Sequence, residues 1–398
     1  MKVLQINNFH SLRGGADRIY LETGHLLARK GHEIMWFSGA HPENLSPVEP
    51  AAFAPVADLK HPKATSVPKF LYNRTAAQAL EQLIQTQGKP DIAHLHIYHG
   101  GLTTAILPVL RRHQIPIVQT AHEYKLVCPV YRLERQGKNC MDCISGSKLN
   151  VIKHRCKSNS ALQSVVLWAE SFVSRLGGDL AKVDKILCVS ARQKEILAQA
   201  GIPKTKLTLC HNFVDTTHFK PVPHTEKQSY FLYFGRIETL KGLPTLLAAA
   251  ENTDLPVKIV GEGSWENELS EAIQSMPHVE FLGRKDGAEL RELIARAKAV
   301  IVPSQWEEPF GLTVVESLAS GTAVIGSAIG AIPELLRDGV DGILAPVGDS
   351  IALTQAMSCL SHEKAIAMGH AGREHVENNF NSEVYIARLL EIYSGLTA

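Results

Sequence analysis

The chain has 398 residues, of which 45% are hydrophobic and 20% charged, and its formal net charge is +1. This length exceeds the usual size of a single core, so we expect two domains. The near-neutral charge gives no overall attraction to nucleic acid, and no apolar run reaches the roughly 18 residues that a membrane-spanning helix needs. The start, Met1-Lys2-Val3-Leu4-Gln5, indicates a first strand rather than a secretion signal, so we expect a cytoplasmic protein.

The first half of the chain alternates short apolar runs with helical patterns. Strands are predicted at residues 2–6, 33–38, 91–97, 115–120, 185–190 and 206–211. Helices are predicted at residues 15–30, 76–86, 101–113, 161–176 and 191–200. Strands that alternate with helices indicate a parallel sheet covered on both faces.

Two short segments at strand ends carry candidate ligand-binding groups. Gly15 lies in a Gly-Gly turn between the first strand and the first helix, where backbone N–H groups could approach a phosphate or a sugar. No full Gly-x-Gly-x-x-Gly follows, which argues against a nicotinamide-dependent dehydrogenase. His122 ends a predicted buried strand and could contact a sugar hydroxyl or a leaving group, although a structural histidine explains that position equally well.

Residues 125–157 form a basic, cysteine-rich insert. Four cysteines are bunched there with the spacing Cys128-x11-Cys140-x2-Cys143-x12-Cys156. One Cys-x-x-Cys pair with two outlying thiols could form a tetrahedral structural zinc site. A redox-dependent disulfide or four free thiols remain open alternatives.

The same insert suggests a membrane contact. It carries many more basic than acidic residues, and the apolar helix predicted at 161–176 follows it. Basic residues beside an apolar helix favour anionic headgroups or a phosphorylated lipid acceptor. We therefore expect a peripheral location at the inner face of the membrane, with a solvated loop and an ordinarily packed helix as the alternative.

The second half of the chain repeats the alternation. Strands are predicted at residues 230–234, 257–261, 278–282, 299–303 and 323–327. Helices are predicted at residues 243–251, 265–274, 288–297, 312–320, 331–336, 351–360, 363–377 and 382–393. The organisation we predict is an N-terminal domain 1–211, a Pro-containing linker 212–229, a C-terminal domain 230–380 and a terminal helix 381–398, with a ligand at the strand ends between the domains.

Arg236 and Lys241 follow the first predicted strand of the second half. The loop after a strand faces the ligand crevice of a parallel sheet. Two cations there could neutralise a diphosphate, and Gly242 would let the backbone turn before the next helix. A solvated surface pair is the alternative, and the position after the strand favours the phosphate.

Two carboxylates, Glu308 and Glu316, flank the loop Pro309-Phe310-Gly311 and the start of a helix. Glu316 lies within an apolar run, where a carboxylate needs a hydrogen-bonding partner such as a hydroxyl-rich ligand. A backbone group or a nearby cation could also satisfy Glu316, and Glu308 could simply favour the positive end of the helix. No Asp-x-Asp occurs in the chain, so we expect no catalytic Mg²⁺.

These features together resemble the retaining glycosyltransferases of family 4. The resemblance covers essentially the whole chain and is most specific in four stretches: Phe234-Gly235-Arg236 with Lys241-Gly242, Val260-Gly261-Glu262-Gly263, 306–321, and Ala331-Ile332-Pro333-Glu334 with Asp338-Gly339-x-x-Gly342. It implies the GT-B fold, in which two doubly wound, Rossmann-like parallel-sheet domains face each other and the C-terminal helix packs back on the N-terminal domain. The usual His-Asp of the family is His122-Glu123 here, which leaves the role of that carboxylate open.

The resemblance also implies a role for each matched residue. Catalytic roles fall to His122, beside the transferred sugar, and to Glu308. The diphosphate would be bound by Gly15, Arg236 and Lys241. The donor-sugar hydroxyls would be bound by Glu308 and the backbone amides of Phe310, Gly311 and Leu312, the ribose by Glu316, and the base near Gly261, Gly263 and Arg284.

The implied activity is metal-independent transfer of a sugar with retention, in polysaccharide or glycolipid synthesis. The donor would be a UDP- or GDP-sugar and the acceptor a glycan or a lipid-linked molecule, with no nucleic acid involved. Two other functions remain open: a nucleotide-sugar epimerase on the same fold, and a sugar-nucleotide-binding subunit without activity. The complete donor-binding set, with Glu308 and Glu316 beside Arg236 and Lys241, favours the transferase.

Overall fold

A computed structural model describes residues 1–57 and 64–397. Residues 58–63 of the predicted N-terminal domain and Ala398 of the terminal segment lie outside the described residues. The chain divides into two compact units. The first contains Met1–Arg135, Cys140–Cys210 and Ile386–Ala398, and the second contains Gln136–Asn139 and His211–Tyr385.

Apolar strands build the parallel sheet of the first unit. The strands up to residue 210 are β1 Lys2–Asn7, β2 Glu33–Gly39, β3 Ala51–Ala54, β4 Ile92–Leu95, β5 Ile117–Ala121, β6 Glu134–Arg135, β7 Lys138–Asn139, β8 Lys185–Cys188 and β9 Leu207–Leu209. The seven-stranded sheet has the order β3-β2-β1-β4-β5-β8-β9, with parallel pairings. The strand order reverses between β1 and β4, and ligands bind outside the carboxyl ends of the strands at such a switch point.

Helices cover this sheet. They are α1 Gly15–Arg29, α2 Val67–Leu71, α3 Arg74–Gln87, α4 Leu107–Arg112, α5 Asp142–Ser145, α6 Asn150–Lys153, α7 Ala161–Gly177 and α8 Ala191–Gln199. Side-chain caps fix several of their starts; Asn73 accepts a hydrogen bond from the Ala76 N–H at 3.1 Å and so begins α3. Fully buried aliphatic side chains such as Leu4, Ile6 and Leu95 form the core between sheet and helices.

The second unit repeats the architecture with six parallel strands. These are β10 Phe231–Phe234, β11 Val257–Val260, β12 Val279–Phe281, β13 Ala299–Val302, β14 Ala323–Ser327 and β15 Gly342–Ala345, in the order β12-β11-β10-β13-β14-β15. The remaining helices are α9 Leu243–Ala250, α10 Glu266–Ala272, α11 Gly287–Arg296, α12 Leu312–Ala319, α13 Ile332–Leu335, α14 Ser350–Cys359, α15 His362–Asn379 and α16 Ser382–Thr397. Here the strand order reverses between β10 and β13, which places the switch point beside the loops that follow them.

The predicted fold class, two parallel-sheet α/β domains, is confirmed. The last helix also behaves as expected for a helix that packs back on the N-terminal domain, because its residues from Ile386 onward belong to the first unit. Within that unit the buried Tyr393 hydroxyl lies 2.7 Å from His94 Nδ1.

Several short elements were not predicted, among them β6, β7, α2, α5 and α6, and one predicted helix is too long. The edge strands β3 and β15 escaped prediction, because four-residue segments rich in alanine and glycine carry little strand propensity. The helix predicted at 101–113 is shorter, since Thr103 has a positive φ of 63° and a 3-10 turn at Thr104–Ile106 precedes α4. The helix proper begins where Pro108 is tolerated, at the N-terminal positions that need no N–H donor.

Candidate active site

The loop after β10 in the second unit is closed by a glycine. Gly242 has φ of +80°, and a Cβ on it would come within 1.7 Å of the Pro303 carbonyl oxygen. Any other residue would therefore clash with the backbone that follows β13. This contact holds Lys241, at the end of the 3-10 turn Thr239–Lys241, beside the loop that carries Glu308.

Lys241 and Glu308 form an ion pair at this switch point. Lys241 Nζ lies 2.6 Å from Glu308 Oε1, and Ser304 Oγ donates to the same oxygen at 2.7 Å. Lys241 Nζ also lies 4.8 Å from the centre of the Trp306 ring, a cation–π distance. Burial alone would raise the pKa of Glu308, but the cation and the hydrogen bonds outweigh it and hold the pKa below its ordinary value.

The backbone around Glu308 is fixed by a second close approach. The Glu308 carbonyl accepts a hydrogen bond from the Ala331 N–H at 3.0 Å. A Cβ on Gly330 would come within 2.3 Å of the Glu308 nitrogen, so the turn before α13 packs directly on Glu308. Gly311, with φ of +117°, then turns the chain into α12.

The residues predicted to bind the donor sugar and the ribose follow on the same segment. Phe310 is buried, and Gly311 and Leu312 begin α12, where N–H groups of a first helical turn lack intrahelical acceptors. Glu316 lies one turn further along α12 and is buried, as predicted for a carboxylate inside an apolar run. The structure thus gathers Lys241, Glu308 and the start of α12 on two neighbouring loops of one sheet.

The other predicted cations of this unit are exposed. The Arg236 side chain is half exposed and pairs with Glu238 at 3.0 Å. Arg284 pairs with Glu262 at 2.6 Å, and both side chains are largely exposed. Exposed pairs contribute about 0–1 kcal/mol, so an anionic ligand could displace either carboxylate at little cost.

Gly261 and Gly263, predicted near the nucleotide base, pack against the loop after β10. A Cβ on Gly261 would come within 1.8 Å of the Gly235 carbonyl oxygen, and one on Gly263 within 2.4 Å of the Ile237 carbonyl oxygen. The Ile237 N–H in turn donates to the Glu262 carbonyl at 2.9 Å. These glycines therefore hold the loops after β10 and β11 together, a role that needs no contact with a base.

In the first unit the candidate residues lie near the other switch point. Gly15 is the first residue of α1 and follows Gly14 in extended conformation. Asp17, in the first turn of α1, accepts a hydrogen bond from Asn7 Nδ2 at 2.8 Å, and Asn7 Oδ1 accepts from the Ile97 N–H at 3.0 Å. Asn7 thus ties the glycine turn to the end of β4.

His122 follows β5 and belongs to a row of imidazoles. His122 Nε2 lies 2.8 Å from His96 Nδ1, and the two rings stack with centres 5.1 Å apart. Burial lowers the pKa of His122 to about 3, so the ring is neutral at physiological pH. Sequence reasoning found His122 and missed His96.

Two carboxyl groups of the first unit titrate unusually high. Burial raises the pKa of Glu123 to about 7, partly offset by Lys125 and assisted by Glu170. Burial likewise raises the pKa of Asp17 to about 6, against the hydrogen bond from Asn7. Both groups can be protonated near neutral pH and could then donate to a ligand oxygen.

The four clustered cysteines approach one another. All are free thiols. Burial, followed by the thiols of Cys128, Cys156 and Cys140, raises the pKa of Cys143 to about 12. Within residues 1–57 and 64–397, however, no three His, Cys, Asp or Glu side chains are arranged to hold a metal ion together. The zinc site stays a prediction.

Helix α7 has the reverse of the burial pattern of an ordinary surface helix. Its buried residues are polar, namely Ser164, Glu170, Ser171 and Ser174. Its exposed residues include large apolar side chains, namely Leu162 at 75%, Val165 at 40%, Phe172 at 52% and Leu176 at 71% exposure. Leu167 and Trp168 of the same helix are partly buried against the core of the first unit, so the packed helix remains an alternative to the membrane contact. None of the helices in the described ranges combines the length and apolar character needed to traverse a bilayer.

Comparison with known proteins gives whole-chain matches. The family described as "Glycosyltransferase Family 4" matches residues 13–218, and "Glycosyl transferases group 1" matches residues 214–375. The N-acetyl-alpha-D-glucosaminyl L-malate synthase of Bacillus anthracis is 24% identical over 96% of this chain and 93% of its own length. The phosphatidyl-myo-inositol mannosyltransferase of Mycobacterium leprae is 33% identical over 41% of this chain and 45% of its own length.

Solved structures share the fold. Sucrose-phosphate synthase from Thermosynechococcus elongatus superposes with a TM-score of 0.74 at 19% identity, covering 99% of this chain and 98% of that one. Anabaena HepE in complex with UDP-glucose superposes with a TM-score of 0.69 at 18% identity, covering 100% of both chains. With one family profile spanning more than half of its residues, the chain belongs to glycosyltransferase family 4 and has the GT-B fold.

Proposed function

We propose that this glycosyltransferase transfers a sugar from a UDP- or GDP-sugar to a glycan or lipid-linked acceptor, with retention of anomeric configuration and without a catalytic metal ion. The observation that carries the proposal is the pair of Lys241 and Glu308 at the switch point of the second sheet. In the proposed complex the diphosphate lies beside the Lys241 cation and a sugar hydroxyl lies within reach of Glu308, because ligands of such sheets bind at the switch point. The relative bound to UDP-glucose supports a uridine donor.

The chemistry asks mainly for stabilisation of the leaving group. As the glycosidic bond breaks, negative charge grows on the diphosphate, and preorganised cations and N–H groups stabilise it. Lys241, Arg236 and the first turn of α12 supply such groups. The leaving phosphate oxygen can take the proton of the acceptor hydroxyl on the same face of the sugar, which gives retention. Glu308, already engaged by Lys241 and Ser304, binds a sugar hydroxyl and is not assigned as a nucleophile.

Incubation with a panel of UDP- and GDP-sugars and a lipid or glycan acceptor tests the proposal. We expect product whose anomeric proton coupling matches that of the donor, formed in the presence of EDTA. An inverted product or complete dependence on added metal would refute the retaining, metal-independent mechanism. Interconversion of the sugar nucleotide without any acceptor would identify an epimerase instead, and binding without turnover would identify a sugar-nucleotide-binding subunit.

We propose further that α7 docks on an anionic membrane and that the acceptor is membrane-linked. The polar face of α7 is anchored by the ion pair of Glu170 with Lys125, which are 2.6 Å apart. Lys125 follows His122 by three residues, so the docking face is built on the segment that carries the candidate catalytic histidine. The basic insert supplies the charge that anionic headgroups attract. This would place the protein at the cytoplasmic face of a membrane.

Vesicle co-sedimentation tests this surface. We expect Phe172→Glu to reduce binding to vesicles containing phosphatidylserine, because it removes apolar area and adds a charge that the lipid repels. The wild-type protein should also bind less at high salt. Val340→Glu, which alters an exposed valine of the second unit, is the matched control and should bind as the wild type does. Equal binding by both variants would contradict the docking surface.

For the cysteine cluster we propose a structural zinc ion. Four thiols from separate turns approach one another, and Cys128 receives hydrogen bonds from backbone N–H groups of Leu133, Val130 and Arg132. Such N–H groups suit a thiolate ligand. The thiols would have to turn toward one point, since they are not arranged as a ligand set in the structure.

Metal analysis of the reduced, purified protein decides this point. We expect about one zinc ion per chain, lost together with thermal stability in Cys143→Ser. Cys359→Ser, which changes an exposed thiol outside the cluster, should keep both. A metal-free wild-type protein with a cooperative unfolding transition would exclude the zinc site and leave the disulfide or the free thiols.

A further inference from the structure

One buried face of the first sheet is polar. Three adjacent strands and the residues that follow them carry polar side chains at alternate positions, namely Gln5 and Asn7, His94 and His96, and Thr120 and His122. All except His122 are at most 4% exposed. Strands buried on both faces ordinarily carry aliphatic residues there, and buried polar groups must be hydrogen-bonded. This face lies at the switch point between β1 and β4.

A row of hydrogen bonds runs through this face to His122. Gln5 Oε1 lies 3.0 Å from His96 Nε2, and His96 Nδ1 lies 2.8 Å from His122 Nε2. The neighbouring His94 is held separately, with Nε2 2.7 Å from Thr120 Oγ1 and Nδ1 2.7 Å from the Tyr393 hydroxyl. His94 stacks on His96 but takes no part in the row.

Both imidazoles of the row are neutral. Burial is the largest cause that lowers the pKa of His96, followed by His94 and His122, and burial lowers the pKa of His122 to about 3. A neutral imidazole has one N–H donor and one acceptor nitrogen. The position of one proton in a row of two such rings therefore determines the position of the other.

The amide of Gln5 decides the direction of the row. In the structure its Oε1 faces His96, while its buried Nε2 has no hydrogen-bond partner among the described residues. An amide oxygen only accepts, so His96 carries its proton on Nε2 and offers Nδ1 as an acceptor. His122 must then donate from Nε2, which leaves its Nδ1 with a free lone pair. Were the amide reversed, its NH₂ group would face His96 and both protons would shift to Nδ1.

We infer that Gln5 is a positioning residue that acts through His96 to keep the proton of His122 on Nε2, so that His122 Nδ1 accepts a hydrogen bond from a ligand hydroxyl. The role of the hydroxyl rests on the proposed function, in which sugar hydroxyls meet His122. The placement of the proton on His122 Nε2 does not depend on the proposed function. A fixed acceptor selects a hydroxyl that points its hydrogen at the ring and excludes a pose that offers only an oxygen lone pair.

Nitrogen NMR on the full chain labelled with ¹⁵N-histidine tests the inference directly. Long-range ¹H–¹⁵N spectra distinguish a protonated from a bare ring nitrogen, and the signal lost in His122→Asn assigns His122. We expect the wild-type ring to be protonated at Nε2. Protonation at Nδ1 in the wild type would overturn the inference whether or not any sugar is transferred.

Two matched variants distinguish a role of Gln5 in placing the proton of His122 from a role in packing alone. Gln5→Met keeps the length of the side chain and removes the amide, so we expect the His122 signal to move toward a mixture of tautomers. We also expect kcat to fall about tenfold, the size of one hydrogen bond between neutral groups, with a smaller change in KM for the donor. Tyr393→Phe removes a hydroxyl from His94 on the same face and should leave the tautomer of His122 unchanged. An unchanged tautomer in Gln5→Met, or the same shift in both variants, would refute the role of Gln5.

Discussion

Lys241→Ala is expected to lower kcat/KM for sugar transfer by about 10²- to 10³-fold, the cost of removing one preorganised donor from a developing oxyanion. The reason lies in the switch point of the second sheet, where Gly242 fixes Lys241 against the loop after β13. In the proposed complex the backbone of Lys241 would therefore need no rearrangement to bring the cation to the diphosphate. Steady-state kinetics with a UDP-sugar and a saturating acceptor would measure the loss.

The control for this variant is Lys364→Ala, which removes an equal charge from an exposed position of α15 and should retain full activity. Thermal shift adds a readout that does not need an acceptor, because a ligand that binds only the native state raises its stability. UDP should stabilise the wild type and Lys364→Ala and have a much smaller effect on Lys241→Ala. Full activity and a normal UDP shift in Lys241→Ala would show that the diphosphate lies elsewhere.

Sequence patterns predicted those elements and turns that depend on the local preferences of particular residue types. Alternating apolar runs and helical patterns predicted both parallel sheets, and Pro309-Phe310-Gly311 predicted the loop that begins α12 at Leu312. Gly242 was predicted to permit a tight turn, and its positive φ and contact with Pro303 explain why only glycine fits. These predictions depend on interactions between near neighbours in the chain.

The partners of the candidate residues could not be predicted, because they depend on which loops the sheet places side by side. Arg236 and Lys241 were assigned together to one diphosphate, yet Lys241 pairs with Glu308, 67 residues away, while Arg236 pairs with Glu238. Ser304, which donates to Glu308, carries no signal as a single serine after a strand. Register and strand order, not local pattern, determine such contacts.

The polar face of the first sheet did leave a signal that sequence reasoning passed over. Gln5-Ile6-Asn7, His94-Leu95-His96 and Thr120-Ala121-His122 each place a polar residue on either side of an apolar one, in segments predicted to be buried strands. Period-two polarity in a strand that must be covered on both faces is unfavourable unless the polar side chains meet one another. Three such segments on adjacent strands predict a buried hydrogen-bonded network, which here leads to His122.

The second large effect is expected at Glu308, on stability as well as on activity. Glu308→Gln keeps the shape of the side chain and removes the charge that faces Lys241. The two side chains are 10% and 20% exposed, between the limits of a surface pair and a fully buried one. We therefore expect a loss of about 2 kcal/mol in the free energy of unfolding at pH 7, since the ammonium group would remain without its counter-charge.

The pH dependence of this loss identifies its cause. The pKa of Glu308 is held below its ordinary value of 4.5 in the folded chain, so the pair stabilises the protein fully above that pH. Its contribution is lost as the pH falls through the lowered folded-state pKa, where the carboxylate takes up a proton. The difference between wild type and Glu308→Gln should be constant from about pH 6 to 8 and shrink in more acidic solution.

Urea unfolding of the wild type, Glu308→Gln, Lys241→Met and the double variant completes the argument as a double-mutant cycle. If the two side chains act as a pair, the double variant should be destabilised by less than the sum of the two single changes. The double variant should also be no more active than Lys241→Met alone, because in the proposed mechanism both groups serve the same bound donor. Two outcomes would mean that the carboxylate is held by groups other than Lys241: additive losses of stability, or a stability difference between wild type and Glu308→Gln that grows with acidity. The sugar-binding role of Glu308 would then need a different geometry from the one that the ion pair defines.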